Sequence, residues 1–198
     1  MFCYQCEQAA GGKGCTKVGV CGKQPDVAAL QDLLIYALRG LAQVAVEGRK
    51  KGISDSAMDG FICKALFSTL TNVNFDAQRI SEYIDKTVAL RDGLKRKVDS
   101  AGGHGSLTTP QATFVPEGSI AARVAQGEKV AGLEAMDRDE NIRSLKHIVL
   151  FGVKGISAYA DHAGILGQTD ENVYKFMEEA LAAIDRTDIP LNDWVGLP

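Results

Sequence analysis

Apolar positions recur at helical spacing along most of this chain. Over residues 27–49, Leu30, Leu33, Leu34, Leu38, Leu41 and Val44 follow the i, i+3, i+4 rule of a helix with one buried face, and Pro25 suits its first turn. Ser54 is placed to cap a second helix running to about residue 70, whose inward face carries Met58, Phe61, Ile62, Ala65, Leu66 and Phe67. Asn72-Val73-Asn74 breaks it. A third helix is predicted over residues 76–98, with Ile80, Ile84, Val88 and Leu94 as its stripe and Arg79, Glu82, Lys86 and Arg91 facing water. Three antiparallel helices joined by short turns make a bundle, here residues 26–99. Residues 100–116, with Gly102, Gly103, Gly105, Pro110 and Pro116, read as a linker. Beyond it the pattern predicts a short, weak helix over 119–129, interrupted by Gly127, and a long one over 137–160. The fold class is all-α.

The two long helices are copies of one pattern. Residues 30–45 lie over residues 145–160 at a constant offset of 115 with no gap, and the same offset sets Gly52 on Gly167, Asp55 on Asp170, Phe61 on Phe176, Ala65 on Ala180 and Leu66 on Leu181. This is the mark of an internal duplication, so a second helical bundle is expected over residues 117–198. Its third helix should begin near residue 191 with Leu191-Asn192-Asp193-Trp194 and run well past residue 198. The second bundle is therefore expected to be incomplete, and the chain to be part of a longer protein.

Residues 1–25 do not follow the helical pattern. Four of the five cysteines, Cys3, Cys6, Cys15 and Cys21, fall here with the spacing C-x2-C-x8-C-x5-C, among Gly11, Gly12, Gly14, Gly19 and Gly22. Glycine permits the positive φ angles and close approach that wrapping a short loop around a bulky group demands. Thiolate sulfur selects zinc, copper(I) or iron–sulfur clusters. Structural zinc sites pair two short C-x2-4-C knuckles, whereas only Cys3 and Cys6 form one here; the wider separation of Cys15 and Cys21 suits the larger cage of an iron–sulfur cluster. Zinc and thiol redox chemistry stay open as alternatives. Lys13, Lys17 and Lys23 could offset the negative charge of such a cluster, or could simply be solvated.

Composition narrows the function classes. A net charge of -3 and a pI near 5.6 give no footprint for nucleic acid, and Arg49-Lys50-Lys51 reads as a helix C-terminus complementing its dipole. No apolar run reaches the roughly 18 to 20 residues a membrane span requires, and the chain opens on Met1-Phe2-Cys3 without the basic and apolar regions of a signal sequence, so a cytoplasmic protein is expected. In a reducing compartment clustered cysteines favour metal or redox chemistry over disulfides.

The segments 1–8, 14–23, 30–34, 68–76 and 158–163, reading MFCYQCEQ, GCTKVGVCGK, LQDLL, STLTNVNFD and AYADHA, together resemble the N-terminal domain of the hybrid cluster proteins, also called prismane proteins or hydroxylamine reductases. The resemblance covers essentially the whole chain. It implies a domain of two three-helix bundles and a cubane [4Fe-4S] cluster held by Cys3, Cys6, Cys15 and Cys21; the compact spacing resembles the cubane class rather than the [2Fe-2S] class. It also implies that the catalytic hybrid iron–sulfur–oxygen cluster sits in later domains this chain lacks. There hydroxylamine would be reduced to ammonia, or nitric oxide acted upon, with electrons passing inward from a donor protein through this domain. No catalytic residue is assigned within residues 1–198, and no turnover is expected of them alone. A stand-alone iron–sulfur redox sensor and a zinc-stabilised helical binding module are the alternative functions.

The remaining candidates read as structural. Cys63 lies on an apolar helix face as a small buried thiol, and its repeat counterpart is Glu178. His147 and His162 read as packing histidines, with a role at an interface open to His162, and His104 as solvated. Gly40, Gly152 and Gly155 interrupt helices, for which close helix contact is the expected reason and a hinge the alternative.

Overall fold

In a computed structural model, residues 1–6, 14–102, 107–131 and 135–196 are described. Lys13, Gly11, Gly12, Gly103, His104 and Gly105 lie outside them. Among the described residues there are seven helices and no strand: α1 Pro25–Lys50, α2 Ser56–Phe67, α3 Ala77–Ser100, α4 Ile120–Val130, α5 Glu140–Ile165, α6 Glu171–Ala183 and α7 Leu191–Val195. The all-α reading holds.

The duplication is visible in the helix boundaries themselves. Both α1 and α5 are 26 residues long, and both ends of α5 stand 115 residues after those of α1. The same offset relates the start of α2 to that of α6, and each opens on an aspartate, Asp55 or Asp170, whose carboxylate accepts from backbone N–H groups of the first turn. Asp55, not Ser54, is thus the cap of α2, because its carboxylate reaches both Ala57 N and Met58 N. The helix expected near residue 191 starts at Leu191 behind Pro190, without a side-chain cap.

Helix α1 is the centre of the molecule. It packs against α3, α4 and α6, while α2 packs against α5. Its most apolar 18-residue window has a mean hydropathy of 1.2, enough by length and composition to cross a membrane, yet 83% of that window is buried among the other helices. One continuous core runs from Val27 through Leu38 and Ile84 to Met177 and Trp194.

Two glycines explain how closely the chain wraps α1. A Cβ on Gly127 would stand 2.1 Å from the Ala29 carbonyl oxygen, so α4 continues through this glycine because the residue lets it lie against α1. A Cβ on Gly40 would stand 2.1 Å from the carbonyl oxygen of Gln111, in the segment that approaches α1 between α3 and α4. Leu107 and Ala112 of that segment are buried. Arg91, expected to face water, is only 2% exposed: its guanidinium turns under the same segment and donates to the carbonyls of Gln111 (3.2 Å) and Phe114 (2.7 Å). By contrast a Cβ on Gly152 or Gly155 would meet nothing within 4 Å among the described residues, so close contact with them does not account for these two.

Arg49 stands in the last turn of α1, as expected of a helix-end charge, and it does more than complement the dipole. It joins three helices, donating from Nε to Glu178 Oε2 (2.5 Å), from Nη2 to Asp59 Oδ2 (2.8 Å) and from Nη1 to Glu171 Oε1 (3.0 Å). Cys63 lies next to this network as a buried thiol, 3.7 Å from Met177 Sδ. Burial pushes its pKa up to about 12, which keeps it protonated and inert.

Candidate iron–sulfur site

Two of the four N-terminal cysteines, Cys3 and Cys15, are brought together by backbone pairing. Phe2 N donates to Cys15 O (2.9 Å) and Cys15 N donates to Cys3 O (2.7 Å), an isolated antiparallel bridge that sets Cys3 beside Cys15. Both are buried, at 8% and 5% exposure, in a small apolar patch with Ala28 of α1 and the half-buried Phe2. Cys6 and Cys21 are half-buried, and all four thiols are free of disulfides. The two turns on either side depend on glycine: Gly14 and Gly22 hold φ angles of +85° and +90°, the left-handed region that L side chains rarely adopt.

Among the described residues no three His, Cys, Asp or Glu side chains converge as they would around a single metal ion. A cubane asks for something else, since each thiolate binds its own iron on the outside of a four-iron cage. Four unpaired thiols on a glycine-turned loop, two of them fixed side by side on a buried bridge, are a donor set that fits such a group. Cys3 has its pKa raised by burial, opposed by a hydrogen bond from the Gln5 backbone N–H and by the charge of Lys23. Both opposing influences favour the thiolate that metal binding requires.

Behind the cysteines lies a polar layer. Lys23, expected to be solvated or to balance a cluster from the surface, is buried, and its ammonium donates to Gln31 Oε1 (2.6 Å); Gln31 Nε2 in turn donates to Asn74 O (2.9 Å). Lys17 is exposed. Lys154 of α5 is buried too and donates to Gln5 Oε1 (3.0 Å) and Thr69 O (3.1 Å). Gln5 Nε2 points the other way, to Asp32 Oδ1 of α1 (3.3 Å). Burial raises Asp32 to about 6 against the pull of Lys154 and Lys23, and lowers Lys154 to about 7 against the pull of Asp32. A cavity of about 30 Å³, room for one or two waters, adjoins Tyr4, Gln5, Asp32 and Lys154.

Sequence reasoning missed Lys154, Asp32, Gln5 and Gln31. The available signal was a charge on an apolar stripe: Lys154 stands four residues after Leu150 and three before Ser157, all buried on one face of α5. The two histidines pack as expected. His147 meets the Tyr4 ring edge-on with centroids 5.2 Å apart, and His162 meets Phe67 in the same way at 5.2 Å.

The chain is similar to known proteins along its whole length. The model of the prismane/CO dehydrogenase family, a family of iron–sulfur proteins, matches residues 1–195. Hydroxylamine reductase of Syntrophobacter fumaroxidans is 58% identical over 197 residues, that of Methanocella arvoryzae 54% over 199, and that of Thermosipho melanesiensis 41% over 203. Each alignment covers all of this chain but only 36% of the relative, so the chain spans about a third of the length of the proteins it matches. With the match running from the cysteine loop to the last helix, the chain belongs to the prismane/CO dehydrogenase family.

Proposed function

We propose that Cys3, Cys6, Cys15 and Cys21 hold a [4Fe-4S] cluster and that this chain is the electron-input part of a longer hydroxylamine reductase. The observation that carries the reading is the buried backbone bridge joining Cys3 to Cys15 within a loop that supplies four free thiols. Such a cluster takes up and passes on one electron at a time. The chain's own residues do the rest. The Gln5 backbone N–H donates to the Cys3 sulfur and favours its anionic form. Phe2 and Ala28 keep water from Cys3 and Cys15 on one side, while the partial exposure of Cys6 and Cys21 keeps the site near the surface, within reach of an electron-donor protein. Reduction of hydroxylamine to ammonia, and any action on nitric oxide, belongs in this reading to domains outside residues 1–198. The partners are accordingly a donor protein and those catalytic domains, with neither nucleic acid nor membrane involved, and the setting is cytoplasmic.

Iron, zinc and acid-labile sulfide analysis of anaerobically purified protein tests this. About four iron and four sulfide per chain are expected, with visible absorption that bleaches on reduction. One zinc without sulfide would replace the reading with a zinc-stabilised module. Cys15→Ala should lose iron and sulfide and Cys63→Ala should keep both; full iron content in the first variant would remove Cys15 from the ligand set.

A further inference from the structure

Buried cations require a counter-charge, and the three buried lysines among the described residues differ in where they find one. Lys146 of α5 has a carboxylate, Asp137 Oδ2, at 3.0 Å, with the carbonyl of Arg186 at 2.9 Å. Among the described residues Lys154, eight residues along the same helix, hydrogen-bonds neutral oxygens, Gln5 Oε1 and Thr69 O. Lys23 likewise hydrogen-bonds the neutral Gln31 Oε1. Among the described residues the carboxylate acting electrostatically on both Lys154 and Lys23 is Asp32, so these two cations share one described anion behind the cysteines. A cube of iron and sulfide on four thiolates is anionic, and it becomes more so on reduction. The excess positive charge is thus laid where that negative charge would appear, in an interior where screening by salt is weak.

Lys154 is also mechanically tied to the ligand loop. Gln5 lies between Cys3 and Cys6, with its amide oxygen held by Lys154 from α5 and its amide nitrogen directed to Asp32 of α1. One side chain of the ligand turn is therefore clasped between two helices by a buried cation and a carboxylate of opposite sign.

Resting on the cluster assignment above, we propose that Lys154 is a positioning and potential-setting residue: its buried ammonium holds the Cys3–Cys6 turn through Gln5 and favours the reduced, more negative state of the cluster, while Asp32 opposes it. The two charges act on the same electron with opposite sign, and a residue that merely supported the fold would not do so.

The test is a potentiometric titration, followed by visible absorption and electron paramagnetic resonance, of the wild-type protein, Lys154→Met and Asp32→Asn, each first assayed for iron and sulfide. Lys154→Met should shift the midpoint to lower potential and Asp32→Asn should shift it to higher potential. An unchanged midpoint in a fully loaded Lys154→Met protein overturns the proposal, as do shifts of the two variants in the same direction. Should Lys154→Met fail to load, Asp32→Asn decides alone: a raised midpoint supports the proposal, and one at or below wild type overturns it. Wild-type protein without iron and sulfide would instead sink the cluster assignment itself, and that outcome is read before any potential is measured.

Discussion

Glu178 shows how a single buried side chain writes a pH dependence into this molecule. Its carboxylate is 1% exposed, and burial raises its pKa from 4.5 to about 7, with Asp59 raising it further and the hydrogen bond from Arg49 opposing both. The folded chain therefore keeps a proton that the unfolded chain releases between about pH 4.5 and 7. Stability rises with pH only where the unfolded state binds more protons, so here this group's contribution is present at low pH and is lost as pH rises through that window. Urea unfolding at pH 5 and pH 8 should show a smaller stability difference in Glu178→Gln than in the wild type, since glutamine has no proton to release. An identical difference in both would remove Glu178 from the account. Nothing in the sequence marked this residue beyond its standing opposite Cys63 in the repeat, because the arginine that makes it consequential is 129 residues away.

At the scale of elements, glycines that look alike in sequence carry opposite consequences. Gly127 and Gly152 both sit inside helices, but a Cβ on the first would run into the backbone of Ala29, whereas one on the second would meet open space. Gly127→Ala should destabilise by about 1–3 kcal/mol, the usual cost of forcing volume into a packed contact. Gly152→Ala should stabilise by up to about 1 kcal/mol through helix propensity. Thermal or denaturant unfolding of the pair checks both signs. Periodicity made the helices legible, since a stripe of leucines three and four apart has one structural solution over 26 residues. It could not separate the two glycines, because what each one faces is decided by a partner element and not by its own neighbours. Arg91 was misplaced for the same reason: its charge reads as solvent-facing until the segment after α3 folds back over it.

Across the whole molecule the two halves obey one pattern and differ in cover. Leu33 of α1 is fully buried, while its counterpart in α5, Ile148, is 52% exposed. Leu33→Ala should cost about 2–5 kcal/mol, as a truncated core leucine does. Ile148→Ala should stay within about 0.5 kcal/mol, the range of ordinary surface changes. Equal losses at the two positions would mean that the repeat halves are covered alike. The four cysteines were legible at once because their spacing is local. The layer behind them was not, since Gln5 and Lys154 are separated by 149 residues and meet only when α5 has docked. That separation has a consequence for biosynthesis. The cysteines leave the ribosome first, and at roughly 5–20 residues per second the lysine that clasps their turn follows some 7–30 s later. Until then the Cys3–Cys15 bridge can pack on Ala28, but Gln5 lacks the partner that holds its amide oxygen, so the clasped form of the turn proposed above is completed only once α5 has been made.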